Sequence, residues 1–179
     1  MYILQFKGNL HSQSIVGQGN MRNNNPLNTG RSDDKGMIYG DDTVAKLFGI
    51  EDIWGNVYQY VNNYYFDRNY HVTTTTDDTI TDVNKYTDQG SYGYTSSSHG
   101  WISDCMGTTE AGFTPIYGGT NGSSYTYFCD YGRMSSSSVL LVGGSDNAYS
   151  EPGLFLVYLY GYNRTGSSAS AFGSRLEYL

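Results

Sequence analysis

Cysteine is almost missing from this chain. Cys105 and Cys129 are the only two, so one disulfide is the most that could form, and a scaffold held by several staples is excluded. Cys129 ends an aromatic strand pattern, Tyr125–Cys129, and a buried free thiol is its expected state. Positive charge is also scarce: 10 Lys and Arg stand against 17 Asp and Glu, a net charge of −7 with no basic cluster. That argues against nucleic acid and against anionic membrane surfaces as partners. No apolar run is long enough to span a bilayer, so no membrane insertion is expected. The first residues, MYILQFKGNLHSQ, lack a charged leader followed by a long apolar stretch and do not read as a signal peptide. Tyr2–Phe6 reads as a strand or as the cut end of a longer chain.

Chemistry-bearing constellations are equally thin. His11, His71 and His99 have no ligand-like neighbours at short spacing, so a zinc site is not expected. The pairs Asp33-Asp34, Asp41-Asp42 and Asp77-Asp78 sit where turns or caps are expected, without the register of a calcium loop. No serine lies in Gly-x-Ser-x-Gly. Gly17 and Gly19 form a lone glycine pair without the strand-turn-helix context of a phosphate loop. Asn121-Gly-Ser and Asn163-Arg-Thr match the short glycosylation sequon. The reading is therefore a non-enzymatic chain with no metal and no cofactor.

What the chain has in quantity is tyrosine, 19 residues, and glycine, 23. Tyrosine packs with its ring and hydrogen-bonds with its hydroxyl. Together with Ser, Gly and Asn it builds adaptable binding surfaces. The same composition also suits a turn-rich β domain.

Along the chain, residues 1–35 read as an N-terminal arm or linker, and 36–179 as one domain. Asp42 or Thr43 can cap a short helix over Val44–Phe48, closed by Gly49. Gly55-Asn56 marks a turn, and Val57–Val61 alternates as a strand. His71–Thr76 is a β-branched strand, and residues 82–98 read as a polar surface loop. Trp101–Cys105, Phe113–Tyr117 and Tyr125–Cys129 are further strand candidates. Ser138–Gly143, Gly153–Tyr160 and Arg175–Leu179 are apolar runs bounded by Gly, Ser and Asn, which also predicts strands.

Leu47–Val61 (LFGIEDIWGNVYQYV) resembles the motif FG-(I/M)-(E/D)-(N/D)-x-(W/Y)-GNVWEWV of the formylglycine-generating-enzyme branch of the C-type lectin fold. Gly143-Gly144-Ser145 resembles the branch's GGS, and Gly173-Ser174-Arg175-Leu176 its closing GxRL. Gly100–Phe113 (GWISDCMGTTEAGF) and Ser124–Asp130 (SYTYFCD) resemble two further stretches of the variable proteins of diversity-generating retroelements, many of them phage or prophage tail proteins. The departures are specific. Gln59 stands for Glu, Tyr58 and Tyr60 for Trp, and Ser174 and Glu177 differ from the common ending. No cysteine follows Cys129, where the enzyme branch needs its catalytic cysteines. Residues 1–27 match no part of the pattern.

The resemblance implies an α+β fold: one C-type-lectin-like domain with short strands, long loops and few helices. It implies a non-enzymatic ligand-binding protein, a phage tail receptor-binding protein that attaches to a protein or glycan receptor on a bacterial surface. The alternatives are a bacterial cell-surface adhesin of the same fold and an enzyme of the formylglycine-generating type. A virion location, or else the bacterial surface, goes with it, as does assembly into a homotrimer or onto other tail proteins.

The diversified recognition face is expected over residues 131–171. Its candidates are Tyr131, Arg133, Ser135, Ser137, Asp146, Asn147, Tyr149, Glu151, Tyr158, Tyr160, Tyr162, Asn163, Arg164 and Ser168. Strand alternation predicts Phe155, Val157 and Leu159 toward the core, and Leu156, Tyr158 and Tyr160 toward the ligand.

Overall fold

The computed structural model describes residues 17, 19–91, 98–108, 112–118, 131–146, 157–160 and 172–173; for 98–99, 101–108, 112–118, 157–160 and 172–173 it describes the backbone alone. The described strands form two sheets. The smaller joins β1 (Tyr39–Gly40), β2 (Ala45–Leu47) and β3 (Ile50–Glu51), all antiparallel. The larger holds β4 (Tyr58–Phe66), β5 (His71–Thr74), β6 (Thr87–Ser91), β7 (Ser98–Thr108), β8 (Gly112–Gly118), β9 (Tyr131–Met134), β10 (Ser138–Val142), β11 (Val157–Tyr160) and β12 (Phe172–Gly173). Its order is β6-β5-β4-β10-β11-β9-β7-β8, with β12 on β4. Pairing is antiparallel except for β9 on β11 and β12 on β4. Among the described residues the one helical element is a 3₁₀ turn, Val83–Lys85, capped by Asp82. The fold is thus mostly β with almost no helix.

The helix expected over Val44–Phe48 is a strand, β2. Val44, Ala45 and Leu47 are buried, but Phe48 is 57% exposed and does not share their face. Phe48 and Gly49 both have positive φ, 52° and 84°, as a type I′ hairpin turn requires, and Leu47 pairs with Ile50. The capping side chain is Asp41 rather than the expected Asp42 or Thr43, accepting from Thr43 N at 2.7 Å and Val44 N at 3.0 Å. It opens a strand instead. A helix of five residues closes too few hydrogen bonds to compete with cross-strand pairing.

The strand expected over Val57–Val61 runs on to Phe66. It stays continuous by bulging: its register against β10 passes from Val139↔Tyr65 to Leu141↔Tyr60, and Asn63 within the bulge has φ 57°. The loop expected at 82–98 contains the 3₁₀ turn and β6, which pairs with β5 from His71↔Ser91 to Thr74↔Thr87. An edge strand is held by backbone hydrogen bonds and needs no apolar face, so its composition looked like a loop. The strands expected over Trp101–Cys105 and Phe113–Tyr117 lie inside β7 and β8, and Ser138–Gly143 matches β10. Of Gly153–Tyr160, Val157–Tyr160 is β11. Tyr2–Phe6, Tyr125–Cys129 and Arg175–Leu179 lie outside the described residues.

Among the described residues two apolar clusters hold the sheets. Tyr64, Phe66, Val72, Met134 and Leu140 form the larger, with the Tyr70 ring edge-on to Phe66 at 5.9 Å. Ala45, Leu47 and Trp54 form the smaller. On β10, Val139, Leu140 and Leu141 are all buried, as a central strand covered on both faces must be. Residues 19–35, within the segment read as an arm, are described, and Asn20, Met21 and Ser32 among them are fully buried.

Candidate functional site

The turn at Gly55-Asn56 is where three remote segments meet. Asn56 is buried with φ 69°, a conformation asparagine tolerates better than most residues. Its Oδ1 accepts from Leu27 N at 2.7 Å and from Asn20 Nδ2 at 2.9 Å. Its Nδ2 donates to Leu27 O and to Asp52 Oδ2, both at 2.9 Å. All four hydrogen-bonding positions of the side-chain amide are therefore used. Its backbone N–H donates to Asn20 O at 2.8 Å, and its carbonyl accepts from Asp146 N at 2.9 Å.

The Gly143-Gly144-Ser145 stretch closes on the same turn. Gly55 N donates to Gly143 O at 2.7 Å. Gly143 has φ 83°, and a Cβ there would stand 3.0 Å from Ile53 O, so only glycine fits without displacement. Gly19, of the lone glycine pair, has the same structural role: a Cβ on it would come within 2.9 Å of Trp54 O. Trp54 is 1% exposed and donates Nε1–H to Gly17 O at 3.2 Å.

Charge is buried beside the turn. Arg31 Nη2 meets Asp52 Oδ1 at 2.8 Å and donates to Thr43 O at 2.8 Å. Burial pushes the Asp52 carboxyl above its ordinary value; the Arg31 charge and the Asn56 N–H pull it back without cancelling that effect. Glu51 sits next to it and accepts from Ser32 Oγ, Ser32 N and Gly30 N. Burial acts upward on Glu51 too, but these donors outweigh it and its pKa is lowered. Lys46 Nζ donates to Ser32 O at 2.7 Å, so a buried ammonium also ends on this segment. The arrangement positions backbone; its carboxylates are already occupied by donors.

The candidates for recognition are placed in part. Tyr131, Arg133 and Ser135 are half-buried, and Ser137, in the turn from β9 to β10, is exposed. Parallel pairing of β9 with β11 sets Arg133 in register with Tyr158 and Gly132 with Val157. Two of the expected recognition segments are thereby neighbours. Antiparallel pairing with β10 sets Tyr158 and Tyr160 opposite Leu141 and Val139, both of them buried. Asp146 does not face outward as expected: it is 4% exposed, its N–H is bonded to Asn56 and its carbonyl to Asn24 N, and burial raises its pKa. Asn147, Tyr149, Glu151, Tyr162, Asn163, Arg164 and Ser168 lie outside the described residues.

Asp41 and Asp77, from the three acidic pairs, hold turn N–H and hydroxyl groups of Thr43 and Thr79. Among the described residues no three His, Cys, Asp or Glu side chains gather as metal ligands. No helix there is long and apolar enough to cross a membrane. A concavity between Arg68, Asn84 and Asp88 is assembled from separate strands and turns, and of the expected recognition residues it is lined by Ser137 alone.

No protein-family model matches this chain, and neither a curated protein nor a solved structure matches it.

Proposed function

We propose that this chain is a non-enzymatic ligand-binding protein with the C-type-lectin-like fold of the formylglycine-generating type. In this reading it serves as a phage tail receptor-binding protein, with a diversified face over residues 131–171 that attaches to a bacterial surface receptor. One observation carries it. Two of the motifs on which the resemblance rests, Leu47–Val61 and Gly143–Ser145, lie against each other through Gly55 N to Gly143 O at 2.7 Å, with Asp146 N, next after the second, donating to Asn56 O at 2.9 Å. Motifs that belong to one scaffold are expected to contact one another, and this contact supports the reading. The parallel register of Arg133 with Tyr158 adds support, since it brings two candidate segments side by side. Tyrosine and arginine there supply anchoring contacts, and Ser and Asn adjustable ones.

The test compares two variants for attachment to host bacteria. Replacing Tyr149, Tyr158 and Tyr160 together with Ala is expected to abolish attachment with little change in melting temperature. Asn163→Ala/Arg164→Ala is the second variant, for the case in which the tyrosines are needed for folding. Undiminished attachment by folded forms of both variants would place recognition elsewhere on the molecule.

A further inference from the structure

An open cleft of about 460 Å³ lies between β4–β5, the 3₁₀ turn and the turn from β9 to β10. That is within the range of small-ligand sites. Two carboxylates on its wall are held in place by neighbouring N–H groups. Asp67 Oδ1 accepts from Asn69 N at 2.7 Å and His71 N at 2.8 Å. Asp88 accepts from Gly90 N at 2.7 Å and contacts His71 Nδ1 at 2.8 Å. Asp67 Oδ2 also accepts from Asn69 Nδ2 at 3.4 Å; a carboxylate offers about four lone-pair positions, so each retains accepting capacity. Arg68 is exposed and has no partner among the described residues, and the exposed Asn84, whose Nδ2 donates to Asp82 Oδ1 at 2.9 Å, is on the same lining. Tyr65 and Tyr86 contribute rings, and Val83 is the only aliphatic residue.

This set selects among ligand classes. A lipid or other apolar ligand finds too little apolar surface. A phosphate or other anion meets Asp67 and Asp88, and a metal or organic cation meets Arg68. Acceptors and donors side by side, next to aromatic rings, match vicinal hydroxyls, each of which donates to a carboxylate while accepting from a guanidinium or amide. We propose that this cleft binds one unit of a neutral saccharide, without a metal ion. Ser137, a candidate of the receptor face, also lines the cleft, but the proposal is argued from the other lining residues and does not require the receptor-binding reading above.

The test uses the full chain and ligand-observed NMR with glucose, galactose, mannose and N-acetylglucosamine, each presented singly with and without EDTA. At least one sugar is expected to bind, with EDTA making no difference. Arg68→Ala and Asn84→Ala, both at exposed positions, are each expected to weaken that sugar about tenfold, equivalent to about 1.4 kcal/mol, with melting temperature retained. Asn163→Ala/Arg164→Ala, made for the receptor face, is expected to leave sugar binding intact. The proposal is overturned if none of the four sugars binds, if binding survives both cleft substitutions, if EDTA abolishes it, or if it is lost in the receptor-face variant.

Discussion

Asn20 donates its side-chain N–H to Oδ1 of Asn56 at 2.9 Å, inside the protein, across 36 residues of chain. Asn20 Oδ1 in turn accepts from Asn23 Nδ2 at 2.6 Å, and its Nδ2 also donates to Asn25 O at 2.9 Å. A run of asparagines that looks like loop composition is thus an ordered layer over the Gly55-Asn56 turn. Buried amides stabilise only when their partners are all present, because an unpaired one costs about 1–3 kcal/mol.

The first prediction follows from that layer. Asn56→Gly keeps the left-handed backbone accessible but removes all four side-chain hydrogen bonds. It is expected to cost about 2–4 kcal/mol in urea denaturation, the net contribution of several bonds plus Asp52 left short of a donor. Asn56→Ala is expected to cost more, since alanine disfavours φ 69°. Equal stability of Asn56→Gly and the parent chain would show the network to be dispensable.

Trp54→Ala empties a fully buried site beside Ala45 and Leu47. The expected loss is about 3–5 kcal/mol. An unchanged melting temperature in a folded variant would contradict the packing described for the smaller cluster.

Arg31 matters through Asp52. Arg31→Ala leaves a buried carboxylate without its counter-charge, and truncating one partner of a buried pair costs about 3–5 kcal/mol; Arg31 retains some exposure, so the lower end is expected. The Asp52 pKa, already raised by burial, is expected to rise further in the variant. Asp52→Asn in the same background is expected to recover part of the loss. No recovery in the double variant would mean that the pair is not what couples these residues.

The His71–Asp88 contact predicts a pH dependence. The hydrogen bond to Asp88 raises the His71 pKa above 6.5, and that to His71 lowers the Asp88 pKa below 3.8. The imidazolium's contribution is full below about pH 6.5, the unfolded value. It is lost as pH rises through the folded value. The carboxylate's contribution is present above its unfolded value and lost as pH falls through its folded one. The contact therefore contributes most at mildly acidic pH. NMR titration of the His71 ring is expected to give a value above 6.5 that Asp88→Asn brings down; an unchanged titration would mean that the two side chains do not interact in solution.

Cys105 and Cys129 are expected to be free thiols. Reductant should leave the thermal transition in place, whereas a disulfide closing this loop would contribute about 3–4 kcal/mol. A clear fall in melting temperature on reduction would show that they are bonded.

Nearest-neighbour chemistry made part of this molecule legible in advance. Gly55-Asn56 reads as a turn because both residues tolerate positive φ, and both have it. The strands at β4, β5, β7, β8 and β10 follow from β-branched and aromatic runs with polar punctuation, signals that act over a few residues. Val44–Phe48 was ambiguous for the same reason. Its apolar spacing suits one turn of helix, and its conversion to β2 depends on pairing with β1 and β3 and on the turn at Phe48-Gly49. The polar segments were harder still. β6 is a strand because β5 offers it a hydrogen-bonding edge. The asparagine run is ordered because Asn56 and Asp146 reach it from elsewhere in the chain, and the cleft beside Arg68 exists because two turns converge on β4 and β5. Distances of tens of residues separate these partners. Composition and periodicity carry no record of such contacts, since the free energy that forms them depends on where the folded backbone places each donor and acceptor.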